Sequence, residues 1–343
     1  MNAMSEASGE IYFIGETDYL TKEPTSFYKI GLVREAEGRD SESRLLEHQT
    51  GNPRTLSIDC IIKTPLVDYI ESLLHGLYAS NRVEGEWFHL DATELAAATS
   101  SAENMAAEAE VALPIWIKAA ELKGQAASGD ELDPTDEQRL VHVEFLKADL
   151  AVKELGKLSK RITVILGDAI EAGEDVGDVA TKQQHERGTF SETKFQANHP
   201  TLFDAYQKIS ESLTGSFLPK KTKNDPAVNE FREKVLNPIL GPLDVVITAA
   251  ETGLTAKSEL NSTKLTILAH LAKYTWLAEN ARRKLQVACG TAPGITGLCT
   301  WNRIIKTTAK LDRAKLKLDH PEEYASCVEV KQIDVVKVQP RQV

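Results

Sequence analysis

Long apolar runs are missing from this sequence: no segment reaches the roughly 20 residues that a membrane-crossing helix needs. Met1 to Glu10 has neither a basic start nor an apolar centre, so no export signal is read there. The expectation is a cytoplasmic protein with no membrane partner. Cysteine is sparse as well. Cys60, Cys289, Cys299 and Cys327 form no CxxC pair, which argues against a disulfide framework or a zinc cluster and for reduced structural thiols. An excess of basic charge is also lacking, since the net charge of −11 excludes a wholly basic nucleic-acid coat protein. The glycine-rich "GTAPGITGLCTW", residues 290–301, has no Lys-Ser/Thr and no preceding strand, so it reads as a helix-ending loop rather than a phosphate loop.

The charge that is present is unevenly spread. Lys and Arg against Asp and Glu give −9 for residues 1–98, −8 for 99–249 and +6 for 250–343. An acidic head with a basic tail suits docking on a polyanion through one end, or simply two solvated faces. The texture of the chain changes too. "EIYFIG", "SFYKIGLV" and "LSIDCIIK" read as strands, and "GEWFHL" as a last short one. Asp40 or Ser41 caps a helix that "TGNP" stops, and Ile70, Leu73, Leu74 and Leu77 recur at helical spacing. Beyond Asp91 the chain turns alanine-rich and helical, with a linker at "GQAASGDELDPTDEQ". Within that part "FSETKFQANHPTLFDAY" (190–206) matches "LDRAKLKLDHPEEYASC" (311–327) at a constant offset of 121, which predicts a repeated supersecondary unit.

Several polar residues in the first ninety are not explained by core patterning. Arg44 and His48 are four residues apart and share a helix face; Glu71, His75 and Tyr78 do the same on the next helix. A carboxylate bordering a core face needs a compensating cation, such as an arginine across the helix gap or a metal. Tyr12 and Tyr28 are either half-buried strand residues or a pair of hydroxyls over a reactive phosphate. Two tyrosines, an arginine, a histidine and a glutamate suffice to cleave a phosphodiester. In such a site Glu71 would hold one Mg²⁺ or Mn²⁺, Arg44 would offset charge at phosphorus, and a phenol near cations would take a proton from water. His75, Trp87 and Phe88 read as structural.

"IYFI", "YKIG", Arg44 and "ESLLHGLYASNRVEGEWF" together resemble a GIY-YIG nuclease domain over residues 9–92, in the branch where E-x-x-L-H leads into R-x-x-GEWF. The resemblance implies a metal-dependent DNA endonuclease. It places Tyr12 and Tyr28 as the paired motif tyrosines, Arg44 and His48 on the first helix, and Glu71 as the metal ligand. The sequence departs from the motif before Ile11, where the usual glycine is absent; Asn81 is a candidate for the supporting asparagine, and Glu86 occupies a similar place in this branch. The tail is loosely similar to a module of phage-type recombination exonucleases, which implies a phage or prophage setting for DNA processing or defence. Physically, Arg303, Lys306, Lys310 and Arg313 belong to a cationic band able to neutralise DNA phosphates.

The expected architecture is α+β, a small sheet flanked by helices and then a mainly helical region with two related repeats. The chain divides into a nuclease-like domain (1–95), a helical segment and linker (96–138), a first repeat module (139–222) and a helical linker with a basic second module (223–343). Two other readings stay open: a non-cleaving DNA-binding protein derived from such a domain, and an interaction factor whose helical C-terminal region binds another protein.

Overall fold

The computed structural model describes residues 7–176, 180–221 and 225–338 and is α+β, with a small antiparallel sheet at the head and a mainly helical remainder. The head contains β1 (Gly9–Thr17), β2 (Pro24–Arg34), α1 (Ser41–Gln49), β3 (Thr55–Thr64), α2 (Val67–Leu77), β4 (Arg82–Glu84) and β5 (Trp87–His89). The strand order is β3-β1-β2-β5-β4. Asp40 caps α1 as expected, its carboxylate accepting from the Ser43 amide at 2.8 Å.

Strict alternation gives the sheet two different faces. Ile11, Phe13 and Ile30 point into the main core beneath α2 and α3 (Ala92–Lys123). Tyr12, Ile14, Val33 and Leu56 form a smaller cluster, which Leu45 of α1 covers. The alanine stretch has a packing reason: Ala98, Ala102, Ala106 and Ala109 line one face of α3, all buried against the sheet side of the core. Small side chains there let the helix backbone approach closely.

The helical part is built on α4 (Asp136–Glu171) and, after the arm described below, on α7 (Pro226–Phe231), a π-turn, α8 (Asn237–Glu251) and α9 (Leu260–Cys289). The head is docked on α9. Trp116 of α3 stacks on Trp276 at 5.9 Å, Tyr69 meets Trp116 edge-on at 4.7 Å, and the Trp116 indole donates to Asn280 Oδ1 at 2.8 Å. Gly76 of α2 lies so near α9 that a Cβ there would sit 2.4 Å from the Ala272 methyl. Gly76→Val is therefore expected to lower stability by about 1–3 kcal/mol through overpacking. An unchanged urea midpoint for that variant would rule out this packing.

The repeat is a strand–helix–helix–strand unit. The first copy is β6 (Ala180–Phe190), α5 (Glu192–Asn198), α6 (Pro200–Ala205) and β7 (Gln207–Thr214). After β8 (Leu218–Pro219), β9 (Gly294–Ile295) and β10 (Cys299–Thr300), the second copy is β11 (Ile304–Leu311), α10 (Arg313–Asp319), α11 (Pro321–Ser326) and β12 (Val328–Val338). The copies exchange strands: β6 pairs with β12 and β7 with β11, both antiparallel. Swapping the copies maps one pairing onto the other, so the arm is pseudo-twofold. Its core draws on both copies, with Phe195, Leu311 and Leu316 buried and Phe190 stacked on Tyr324 at 4.3 Å.

Long strands here are a departure from the helical modules that the sequence suggested. "TKQQHERGTF" and its partners carry little apolar alternation, because a two-stranded ribbon exposed on both sides has no face to bury.

Candidate active site

The hairpin register decides which residues can meet. Tyr12 opposes Gly31, Ile14 opposes Lys29 and Gly15 opposes Tyr28, with no bulge between them. Tyr12 is 1% exposed. Its ring lies across Gly31, where a Cβ would stand 2.3 Å from the phenol oxygen. The glycine of "YKIG" is thus the floor on which Tyr12 rests.

Above that floor, α1 brings two groups to the phenol. The Tyr12 hydroxyl is 3.3 Å from His48 Nε2. Arg44, one helical turn earlier, also reaches the phenol and is paired with Glu47. Burial pushes the Tyr12 phenol above its ordinary pKa, while the Arg44 hydrogen bond and charge pull it back. His48 is held below the ordinary histidine value by burial and by the charges of Lys29 and Arg44, so it is neutral at pH 7.

Lys29 shares this face by strand parity and is buried, with its ammonium bonded to Glu86. Burial alone would raise the Glu86 carboxyl, but Lys29 more than offsets this and holds it below the usual range. Lys29, Arg54, Asn52, Glu86 and Trp87 line an open groove of about 780 Å³. Arg82 lies over the Phe88 ring at 5.3 Å, within reach of the charges of Glu86 and Glu71.

Glu71 enters from α2. Its carboxyl is pushed up to about 7, first by burial and then by the neighbouring charges of Glu86 and Asp68. Of the cations that act on it, Arg34 and Lys29 are committed to Asp68 and Glu86, and Arg82 acts through its charge while its guanidinium lies over Phe88. Among the described residues no three His, Cys, Asp or Glu side chains converge as a metal cage. A half-buried carboxylate whose ionised form burial and like charges disfavour nonetheless fits Mg²⁺, which keeps several waters and takes one or two protein carboxylates.

The structure therefore brings Tyr12, Arg44, His48 and Glu71 into one electrostatic neighbourhood, since both Glu86 and Glu71 act on the Tyr12 phenol. Tyr28 is not part of it, which corrects the sequence assignment. Three residues from Gly31 along an unbroken strand, it points to the opposite face, its ring over Gly15 and against the main core. The position on the Tyr12 face belongs to Lys29. Asn81 is likewise spent on structure, its amide donating to the His89 carbonyl at 3.1 Å and to Glu94 at 2.9 Å. His75 is structural as expected, with Nε2 2.8 Å from the Ile30 carbonyl.

The cationic band also needs a correction. Arg303 is 1% exposed and stacked 3.9 Å above Trp301, so it cannot touch a DNA phosphate. Arg313 is bonded to Glu192 across the two repeats at 2.7 Å. Lys306 and Lys310 are exposed on β11.

Residues 9–102 match the family model of the T5orf172 domain. The T5orf172 domain is phage-associated and related to the nuclease-like fold. The match begins with β1 and ends within α3, so it contains Tyr12, Lys29, Arg44, His48, Glu71 and Glu86 and leaves out the arm. No curated protein and no solved structure matches the chain. Among the described residues no helix is long and apolar enough to cross a membrane.

Proposed function

We propose that the T5orf172 domain of this chain is a GIY-YIG-type DNA endonuclease that hydrolyses phosphodiesters by attack of water. The observation that carries the reading is the Tyr12 phenol seated against both His48 and Arg44, on the face that also presents Lys29. Tyr12 takes the proton from the attacking water and passes its own to His48, whose neutral ring accepts it at Nε2 when Nδ1 carries the hydrogen. Arg44 and Lys29 stabilise the charge that grows on the equatorial phosphoryl oxygens. Glu71 would hold Mg²⁺ or Mn²⁺, which supplies Lewis-acid stabilisation of the phosphate when bound. The groove beside Lys29 and Trp87 receives the strand. Lys306 and Lys310 of the arm add phosphate contacts that weaken with salt.

A supercoiled plasmid incubated with Mg²⁺ or Mn²⁺ tests this. Tyr12→Phe is expected to slow nicking by about 10²–10⁴-fold. Lys29→Met is expected to act in the same direction, while Tyr28→Phe leaves the rate near wild type. Wild-type protein that binds DNA but never nicks it would establish a non-cleaving binder instead. Loss of activity in Tyr28→Phe, with Lys29→Met active, would overturn the assignment of Lys29.

A further inference from the structure

A second cluster of reactive side chains lies far along the chain, at the root of the arm. Cys289 ends α9 and Cys299 begins β10, and their sulfurs are 3.6 Å apart with residue exposures of 1% and 0%. Beside them lies Arg303. One of its terminal nitrogens donates to the Gly290 carbonyl at 2.8 Å, whereas Nε and Nη1 meet no acceptor among the described residues. A buried guanidinium without a carboxylate is costly, and the anion that can offset it here is a thiolate. The charges of Arg303 and Cys289 act on each other, and Lys220 adds a second positive charge near Cys299.

We propose that Cys289 and Cys299 are a redox-active dithiol, oxidised by hydrogen peroxide to an intramolecular disulfide, with Lys220 near Cys299 and Arg303 near Cys289 offsetting the charge as each thiol loses its proton. The hydrogen bond shared with Cys289 and the charge of Lys220 hold the Cys299 thiol below its ordinary value, against the effect of burial. With that positive charge beside it, Cys299 is assigned as the sulfur that attacks first. Its thiolate bonds to one peroxide oxygen, the O–O bond breaks, and the departing hydroxide takes a proton to become water. The resulting sulfenic acid is attacked by Cys289, which gives up its proton as the S–S bond forms and a second water leaves. Two thiols and one peroxide thus yield one disulfide and two waters.

The bond would tie β10 to the end of α9. Since β10 pairs with β8 and β9, and its chain runs through Trp301 and Arg303 into β11, oxidation fixes the root of the arm on the helical body. Cys60, half-buried on β3 in the head, provides an internal competitor for oxidant.

The test uses the full-length wild-type chain, freed of reductant, treated with hydrogen peroxide, then denatured in N-ethylmaleimide and mapped by mass spectrometry. The expected product is a Cys289–Cys299 cross-linked peptide pair. The intact mass before labelling falls by about 2 Da and is restored by dithiothreitol. Arg303→Gln, checked for folding by circular dichroism, is expected to slow the cross-link by about tenfold. If Cys60 of the wild-type chain is oxidised while Cys289 and Cys299 both take up maleimide, the pair is an ordinary thiol–thiol hydrogen bond and the proposal is overturned.

Discussion

Glu71→Gln is expected to remove metal-dependent nicking, slowing it by at least about 10²–10³-fold, while making the metal-free protein more stable at pH 8. The two effects have one cause. The Glu71 carboxyl titrates at about 7 in the fold against an ordinary 4.5, because burial and the charges of Glu86 and Asp68 penalise its ionised form. A raised folded value means that the folded state binds the proton more tightly than the unfolded chain. The contribution to stability is complete below pH 4.5 and is lost as the pH rises through 7. The penalty at pH 8 is on the order of 3 kcal/mol before any relaxation of the site. Glutamine carries no such charge, so Glu71→Gln should raise the melting temperature at pH 8 and change little at pH 4. Adding Mg²⁺ should stabilise wild type at pH 8 and leave Glu71→Gln unmoved. Equal melting shifts with Mg²⁺ in both proteins would place the metal elsewhere.

Gly31→Ala is the second large effect, and it strikes the site without touching a polar group. The new methyl would stand 2.3 Å from the Tyr12 oxygen and 2.5 Å from the ring carbon that bears it. The ring cannot swing freely, because it is buried and its hydroxyl is engaged by His48 and Arg44. Overpacking should cost about 1–3 kcal/mol, read as a lower urea midpoint. Displacing the phenol by about 1 Å should reduce nicking by about 10²-fold. A fully active Gly31→Ala protein with an unaltered urea midpoint would show that the phenol has no fixed position to lose.

Much of the head was legible in the sequence. Short apolar, aromatic-bearing runs in "IYFIG" and "FYKIGLV", β-branched residues in "LSIDCIIK" and a periodic Ile70–Leu77 stripe each state a local preference that tertiary packing did not override. Arg44 and His48 could be placed on one helix face by spacing alone, and the structure turns that face toward Tyr12. Tyr28 shows where local reading stops. Its side of the sheet depends on parity counted from Gly31 in a paired hairpin, and a step of one residue exchanges Tyr28 for Lys29. The ladder that opposes Tyr12 to Gly31 makes that count unambiguous; a lone strand does not. A signal was nonetheless available, since Lys29 stands two residues before the glycine, at the spacing that puts it beside Tyr12.

The charge count in the tail misled for a related reason. Composition registers Arg303 and Lys306 alike, yet one is sealed under Trp301 and the other is bathed in solvent. The offset of 121 announced two copies of one unit, but not that they would exchange strands. By itself, the sequence determined the α+β class, the elements of the head and the existence of the duplication, because these follow from short-range periodicity and capping. Only the tertiary structure decided which tyrosine meets His48 and Arg44, which arginine is buried, and that Cys289 and Cys299 meet. Those outcomes depend on register and on contacts between distant segments, which no local pattern encodes.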